Sequence, residues 1–228
     1  MHPNHIHEEI ELQAMDFSTY LPEWLAHVPE WRDYYLSHDQ VNHYQYLKDV
    51  LKAMQFIRGP KKWVLKSPQH LEQIPALIKT FPDATFAITY RDPLSVVLST
   101  ATMLSYGDRV RRYKVEPRNN FNYWHNRIQT LLEKFTNDYK LIPSEQKIDI
   151  FFHDLIKDNL DSVKKIYSKN SLKFDKHADN EIREYMNSNQ RGKHGQIIYN
   201  LEDFDVDKSL FYKSFKFYFD TFGVSEEI

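Results

Sequence analysis

Two stretches decide the fold: Trp63-Val-Leu-Lys-Ser-Pro-Gln-His70, and further along Thr85-Phe-Ala-Ile-Thr-Tyr-Arg-Asp-Pro93. Each joins a short apolar run to a basic residue, a helix-capping residue and a proline. The pattern predicts a strand over 63–66, a helix over 68–81, a second strand over 85–90 and a helix from Pro93 to about Tyr106. Two strands bridged by a helix form a βαβ unit, whose strands run parallel and share one carboxyl-end edge. Ligands of such sheets bind outside that edge. Lys66 and Arg91 would bring cationic side chains there, beside helix amino termini opened by Ser67-Pro68 and Asp92-Pro93. Ser95 and Ser99, one helical turn apart, can present hydroxyls on one side of the second helix. The arrangement describes an anion site suited to a phosphate, although caps and first-turn prolines are by themselves ordinary helix punctuation.

Working outward, residues 1–10 read as a polar, mobile lead-in. Residues 10–36 are helical in pattern, broken by Pro22 and Pro29 and rich in Trp24, Trp31, Tyr34 and Tyr35. Residues 40–58 form a clearer amphipathic helix, with Tyr44, Leu47, Leu51 and Met54 on one face, ended by Gly59-Pro60. Beyond the central block come a long helix over 120–139, a third strand over 147–152, and helices over 161–168 and 175–187. A loop over 190–199 and an aromatic-rich helix over 209–222 follow. The fold class is α/β, a parallel sheet with flanking helices and a large helical share. It reads as a single domain, with residues 1–60 a helical amino-terminal segment on the lid or acceptor side and residues 61–228 the α/β core.

Composition removes several functions. Thirty Lys and Arg against 32 Asp and Glu leave a formal charge of −2, so nothing global favours nucleic acid or an anionic membrane. The absence of cysteine excludes disulfides, thiolate zinc sites and a thiol nucleophile, and fits a cytoplasmic protein. No apolar run is long enough to span a bilayer, and the first residues lack the basic and apolar regions of a signal peptide. His2, His5 and His7 could catch metal only adventitiously, and no metal site is assigned. His27, His38 and His43 could line an acceptor pocket among the early aromatics, but such residues are more often helix-packing core.

A second basic element is Asn189-Gln-Arg-Gly-Lys-His-Gly195. Its two glycines allow main-chain N–H groups to approach an anion, although in isolation it reads as a solvated loop. Taken with the central block it becomes more specific. Trp63-Val-Leu-Lys-Ser-Pro-Gln-His-Leu71 and Tyr90-Arg-Asp-Pro-Leu-Ser-Val-Val-Leu-Ser99 resemble the sulfotransferase family, especially its broad bacterial branch. The resemblance extends to Phe152-His-Asp-Leu155, to the aromatic region 24–46 and to Leu201-Glu-Asp-Phe204. It implies a P-loop-NTPase-like sulfotransferase fold and PAPS (3′-phosphoadenosine 5′-phosphosulfate) as co-substrate, with no metal. It further implies that Arg91 and Ser99 hold the 3′-phosphate. Arg191, Gly192 and Lys193 resemble the family's late basic loop, with Lys and Gly exchanged.

The departure is equally specific. Members of that family begin with a strand and a glycine-rich turn for the 5′-phosphosulfate, whereas no glycine precedes Gly59 here. The expectation is an amino-terminally truncated sulfotransferase, or a derivative that has lost the loop, with a sheet edge left open. The open edge and the missing segment raise homo-oligomer formation as a further expectation. At the turn after the first strand, His70 is the candidate general base, because imidazole titrates near neutrality. Lys66 is the candidate cation for the leaving oxygen. The acceptor is expected to be a small-molecule alcohol or amine. A binding module holding adenosine 3′,5′-bisphosphate without turnover stands as the alternative. A nucleotide kinase lacks support, since no Gly-x-x-x-x-Gly-Lys-Ser/Thr turn occurs.

Overall fold

The structure, a computed structural model, describes residues 7–190, 192, 193, 195, 199 and 201–228. It divides into two compact units: residues 1–84 with 137–141, and residues 85–136 with 142–228.

The first unit is helical. α1 (Ile10–Ala14), α2 (Leu21–Leu25) and α3 (Pro29–Ser37) are short because Pro22 and Pro29 restart the chain at helix amino termini. α4 (Val41–Arg58) carries the amphipathic pattern and buries Tyr44, Leu47 and Leu51. It stops at Gly59, whose φ of 84° with ψ of 164° is open only to a residue without Cβ. Polar side chains share the core with these aromatics. Gln69, fully buried, accepts from the Thr19 hydroxyl at 2.8 Å and donates to Gln13 at 2.6 Å.

Two expectations fail in this unit. Residues 63–66 form no strand: Val64 is 94% exposed, and the sheet among the described residues consists of two strands elsewhere in the chain. The expected helix over 68–81 is two pieces, a 3-10 turn at Pro68–Glu72 and α5 (Ile74–Thr80), with Gln73 at the break and Pro75 in the first turn of α5. A second proline so near the start prevents one continuous helix, because its ring takes up the space of the preceding turn and its nitrogen carries no hydrogen.

The second unit holds the sheet. β1 (Phe86–Tyr90) and β2 (Lys147–Phe151) lie parallel, with Phe86 opposite Lys147 and Tyr90 opposite Phe151. The parallel pair is therefore β1 with β2, with α6 (Pro93–Asp108) and α7 (Pro117–Asp138) between them in sequence, rather than residues 63–66 with β1. α8 (Phe152–Lys157), α9 (Asn159–Lys169), α10 (Lys176–Ser188), α11 (Lys208–Ser214) and α12 (Lys216–Phe222) complete the unit. β1 alternates, burying Ile88 and Tyr90 and exposing Ala87 and Thr89. Tyr90 is the hub: its ring lies 5.0 Å from Phe151 and from Phe222, and 6.1 Å from Phe135. Such ring pairs contribute about 0.5–1.5 kcal/mol each beyond burial. Its hydroxyl donates to Asp149 at 2.7 Å. Among the described residues, no helix is long and apolar enough to cross a membrane.

Candidate functional site

The register of the sheet builds the site. Tyr90 and Phe151 are level, so the next residues, Arg91 and Phe152, emerge side by side beyond the carboxyl ends of the strands. The Arg91 guanidinium lies over the Phe152 ring, 3.9 Å from its centre. Such stacking fixes the plane of the fork while leaving its N–H groups available in that plane. Arg91 Nε donates to both carboxylate oxygens of Glu227, at 3.2 and 3.1 Å, and Nη2 donates to Oε2 at 3.0 Å.

Asp92 anchors the turn and is wholly buried. Its Oδ1 accepts from the Leu94 amide at 2.9 Å, capping α6 directly before Pro93. Its Oδ2 accepts from the Glu227 amide at 2.9 Å and the Tyr212 hydroxyl at 3.0 Å. The Asp92 amide in turn donates to Glu227 Oε1 at 3.3 Å. Burial, reinforced by the Asp92 carboxylate, pushes the Tyr212 hydroxyl pKa upward, so Tyr212 stays a donor at neutral pH. Ser99 is half-buried on α6, about 9 Å along the axis from Pro93 at 1.5 Å per residue. An open cleft of about 310 Å³ lies here, lined by Arg91, Phe152, His153, Ile156 and residues 224–227.

The late basic loop also belongs to the second unit. Gly192 and Gly195 have φ of 80° and 96°, the backbone freedom for which glycine was singled out. The Lys193 ammonium donates to the Ser188 carbonyl at the end of α10, 2.8 Å away. Arg191 lies outside the described residues.

Lys66 and His70 belong to the first unit. The Lys66 amide donates to Glu9 Oε2 at 2.8 Å, and its ammonium pairs with Glu8. His70 Nε2 bonds Glu9 Oε1, and Nδ1 bonds the buried Tyr44 hydroxyl at 2.8 Å. Because an ionised carboxylate only accepts, Nε2 carries a proton, and in the neutral form of the ring Nδ1 is then the nitrogen that accepts from Tyr44. Burial pushes the Glu9 carboxyl up. The bonds and charge from His70, with the amides of Glu9 and Lys66, outweigh this and leave it below its usual value. Ser67 does not cap the turn that follows it, and its hydroxyl is buried without a hydrogen-bond partner. His38 and His43 are engaged locally, His38 with Ser18 and the Tyr34 carbonyl, and His43 with Asp16.

Sequence reasoning missed Glu9 and Glu227. Glu9 falls in the segment read as a mobile lead-in, yet it is 6% exposed. The recurrence of Glu9, Gln13 and the Leu12–Met15 region at helical spacing was the available signal. For Glu227 no local pattern exists, because its partners lie 135 and 136 residues away. Among the described residues, no group of three or more His, Cys, Asp or Glu could hold a metal ion.

Residues 1–176 match the sequence model of the sulfotransferase family. Among solved structures, sulfotransferase STF9 from Mycobacterium avium superposes with a TM-score of 0.86 at 19% identity, covering 97% of this chain and 57% of that one. Sulfotransferase STF1 from Mycobacterium tuberculosis H37Rv superposes with a TM-score of 0.76 at 25% identity, covering 94% and 56%. No curated protein sequence matches. The chain thus spans a little over half the length of these solved structures.

Proposed function

Because the chain belongs to the sulfotransferase family, we propose that it carries the 3′-phosphate-binding half of a PAPS-dependent sulfotransferase acting on a small-molecule alcohol or amine. The observation that supports this most is Arg91, held flat on Phe152 at the end of β1 and already gripping a carboxylate through two nitrogens. A phosphate presents the same acceptor geometry to a guanidinium. Ser99, eight positions on, supplies a hydroxyl from α6. Gly192 and Lys193, with Arg191, would add main-chain and cationic contacts. A cytoplasmic setting belongs to the same reading, since the chain uses no cysteine.

Bound PAPS supplies the sulfuryl group, which passes to the acceptor as its bond to the bridging phosphate oxygen breaks. The protein's part is to position and to neutralise charge. In this reading Lys66 balances charge at the leaving oxygen once it gives up Glu8, and His70 takes the acceptor proton. Glu9 fixes the tautomer of His70 so that Nδ1 is the basic nitrogen, which must exchange Tyr44 for the acceptor.

A second reading has its own support. No glycine precedes Gly59, so the glycine-rich turn that the family uses for the phosphosulfate is not found in these 228 residues. On that reading the chain holds adenosine 3′,5′-bisphosphate without turnover. Calorimetric titration with adenosine 3′,5′-bisphosphate tests the shared core of both. Saturable binding that Arg91→Ala weakens by about a hundredfold is expected, since a charge-assisted two-pronged contact is lost. Absence of binding by folded protein would reject both. PAPS turnover with an alcohol or amine panel then separates them.

A further inference from the structure

Glu227 occupies the Arg91 fork in the way an anionic ligand would. Its carboxylate takes Nε and Nη2, two of the three in-plane nitrogens of the guanidinium, and also the Asp92 amide at the start of α6. These are the donors that a bound phosphate needs, and they cannot serve both at once. We infer that residues 224–227 form an internal plug, in which the Glu227 carboxylate stands in for a phosphate and must leave before an anionic ligand can bind. The inference rests on the reading of Arg91 as an anion-binding residue and adds how access to it is controlled.

Three features fit a plug rather than a fixed wall. The segment leaves α12 at Gly223, whose φ of 65° gives the chain a sharp left-handed turn. The ion pair is part-exposed, with side chains 36% and 25% accessible, so it is screened and can exchange for a stronger anion. Charge supplies the third. With the segment in place, the acidic residues Glu226 and Glu227 join Arg91 and Asp92 in lining the cleft, so three acidic residues stand beside one arginine. A phosphate arriving there meets net repulsion. Withdrawal of residues 224–227 removes two of the three carboxylates and leaves the Arg91 fork, the Asp92 amide and the Phe152 stacking surface. The Tyr212 hydroxyl stays on Asp92, so the cap of α6 survives the change.

The arrangement is a two-state competition, and the apparent affinity of the ligand falls by the fraction of molecules whose site is open. The experiment titrates the full chain with adenosine 3′,5′-bisphosphate by calorimetry, comparing wild type, Glu227→Gln and Arg91→Ala. Hydrogen exchange at residues 224–228 is followed in the wild type with and without ligand. Glu227→Gln is expected to bind roughly three- to tenfold more tightly than wild type, as the occupied fraction of the fork drops. Exchange at residues 224–228 is expected to accelerate when ligand saturates the wild type. Binding that depends on Arg91 but is indifferent to Glu227→Gln overturns the plug alone. Slower exchange on ligand binding also overturns it, because the segment then closes over the ligand. If neither wild type nor Glu227→Gln binds while both are folded, the anion-site reading fails and the plug fails with it. The exchange measurement needs no variant, so it decides the matter even if a substitution impairs folding.

Discussion

The turns at Lys66-Ser67-Pro68 and Arg91-Asp92-Pro93 share one local grammar and end as different structures. Before Arg91 the chain is a strand paired to β2; before Lys66 it is irregular and largely exposed. Asp92 caps a 16-residue helix and binds three donors, whereas Ser67 caps nothing and opens a five-residue 3-10 turn. A basic residue, a cap and a proline thus mark where a strand can turn into a helix. Whether it does so depends on a neighbour that fixes the strand and donors that reach the cap. β2 and residue 227 supply both to one turn.

The sharpest way to break this contrast is to remove the cap that works. Asp92→Ala strands the Leu94 and Glu227 amides together and removes the nearer acceptor of the Tyr212 hydroxyl. It should cost about 3 kcal/mol in urea unfolding, combining a lost helix cap with unmet buried donors. A cost under roughly 1 kcal/mol would mean the turn is held by packing instead.

In the first unit the comparable anchor is Glu9 rather than the cap. Glu9→Gln, which leaves His70 without its charged partner, should cost about 2 kcal/mol at neutral pH. The pH dependence has a definite sign. The folded-state pKa of Glu9 is lowered from 4.5, so its contribution is complete above that value and disappears as pH falls through the lowered one. Melting temperatures followed downward from pH 6 should therefore drop less steeply in Glu9→Gln than in wild type. Parallel curves would remove Glu9 from that role.

The second unit carries a different titration. His125, bonded to Ser214 and stacked on Phe215, is held by burial below its ordinary 6.5. The unfolded chain therefore binds a proton that the folded one refuses, and stability declines as pH falls below 6.5 toward the folded value. His125→Phe should flatten that limb while keeping the ring contacts. An unchanged limb between pH 7 and 5 would place the sensitivity elsewhere. The smallest loss is expected at Ser67→Ala, which should be neutral or stabilise by up to about 1 kcal/mol, because that hydroxyl caps nothing and is buried without a partner. A loss comparable to that of Asp92→Ala would erase the distinction between the two turns.

How much of this could be read from residues alone follows the range of the interactions. β1, β2, α4, α7 and α10 were legible because period and capping residues are local signals. That residues 63–66 form no strand was not, since a strand is a property of a pair and an apolar run carries no information about whether a partner is present. Arg91 and Ser99 were singled out by the resemblance to the sulfotransferase family, and the structure shows the first of them at a strand end. The stacking of Arg91 on Phe152 needed the register of β1 against β2, which no stretch of sequence displays. Glu9 and Glu227 join their partners across 57 to 136 residues, beyond any local pattern.

The separation of Arg91 from Glu227 also has a consequence in time. At synthesis rates of roughly 5–20 residues per second, the 136 residues between them take on the order of ten seconds to add. Closing so long a loop costs about 4 kcal/mol of chain entropy, so the pair cannot hold until most of the second unit has folded around it. A nascent chain therefore presents Arg91 and the start of α6 to the surrounding solution well before their final partner exists.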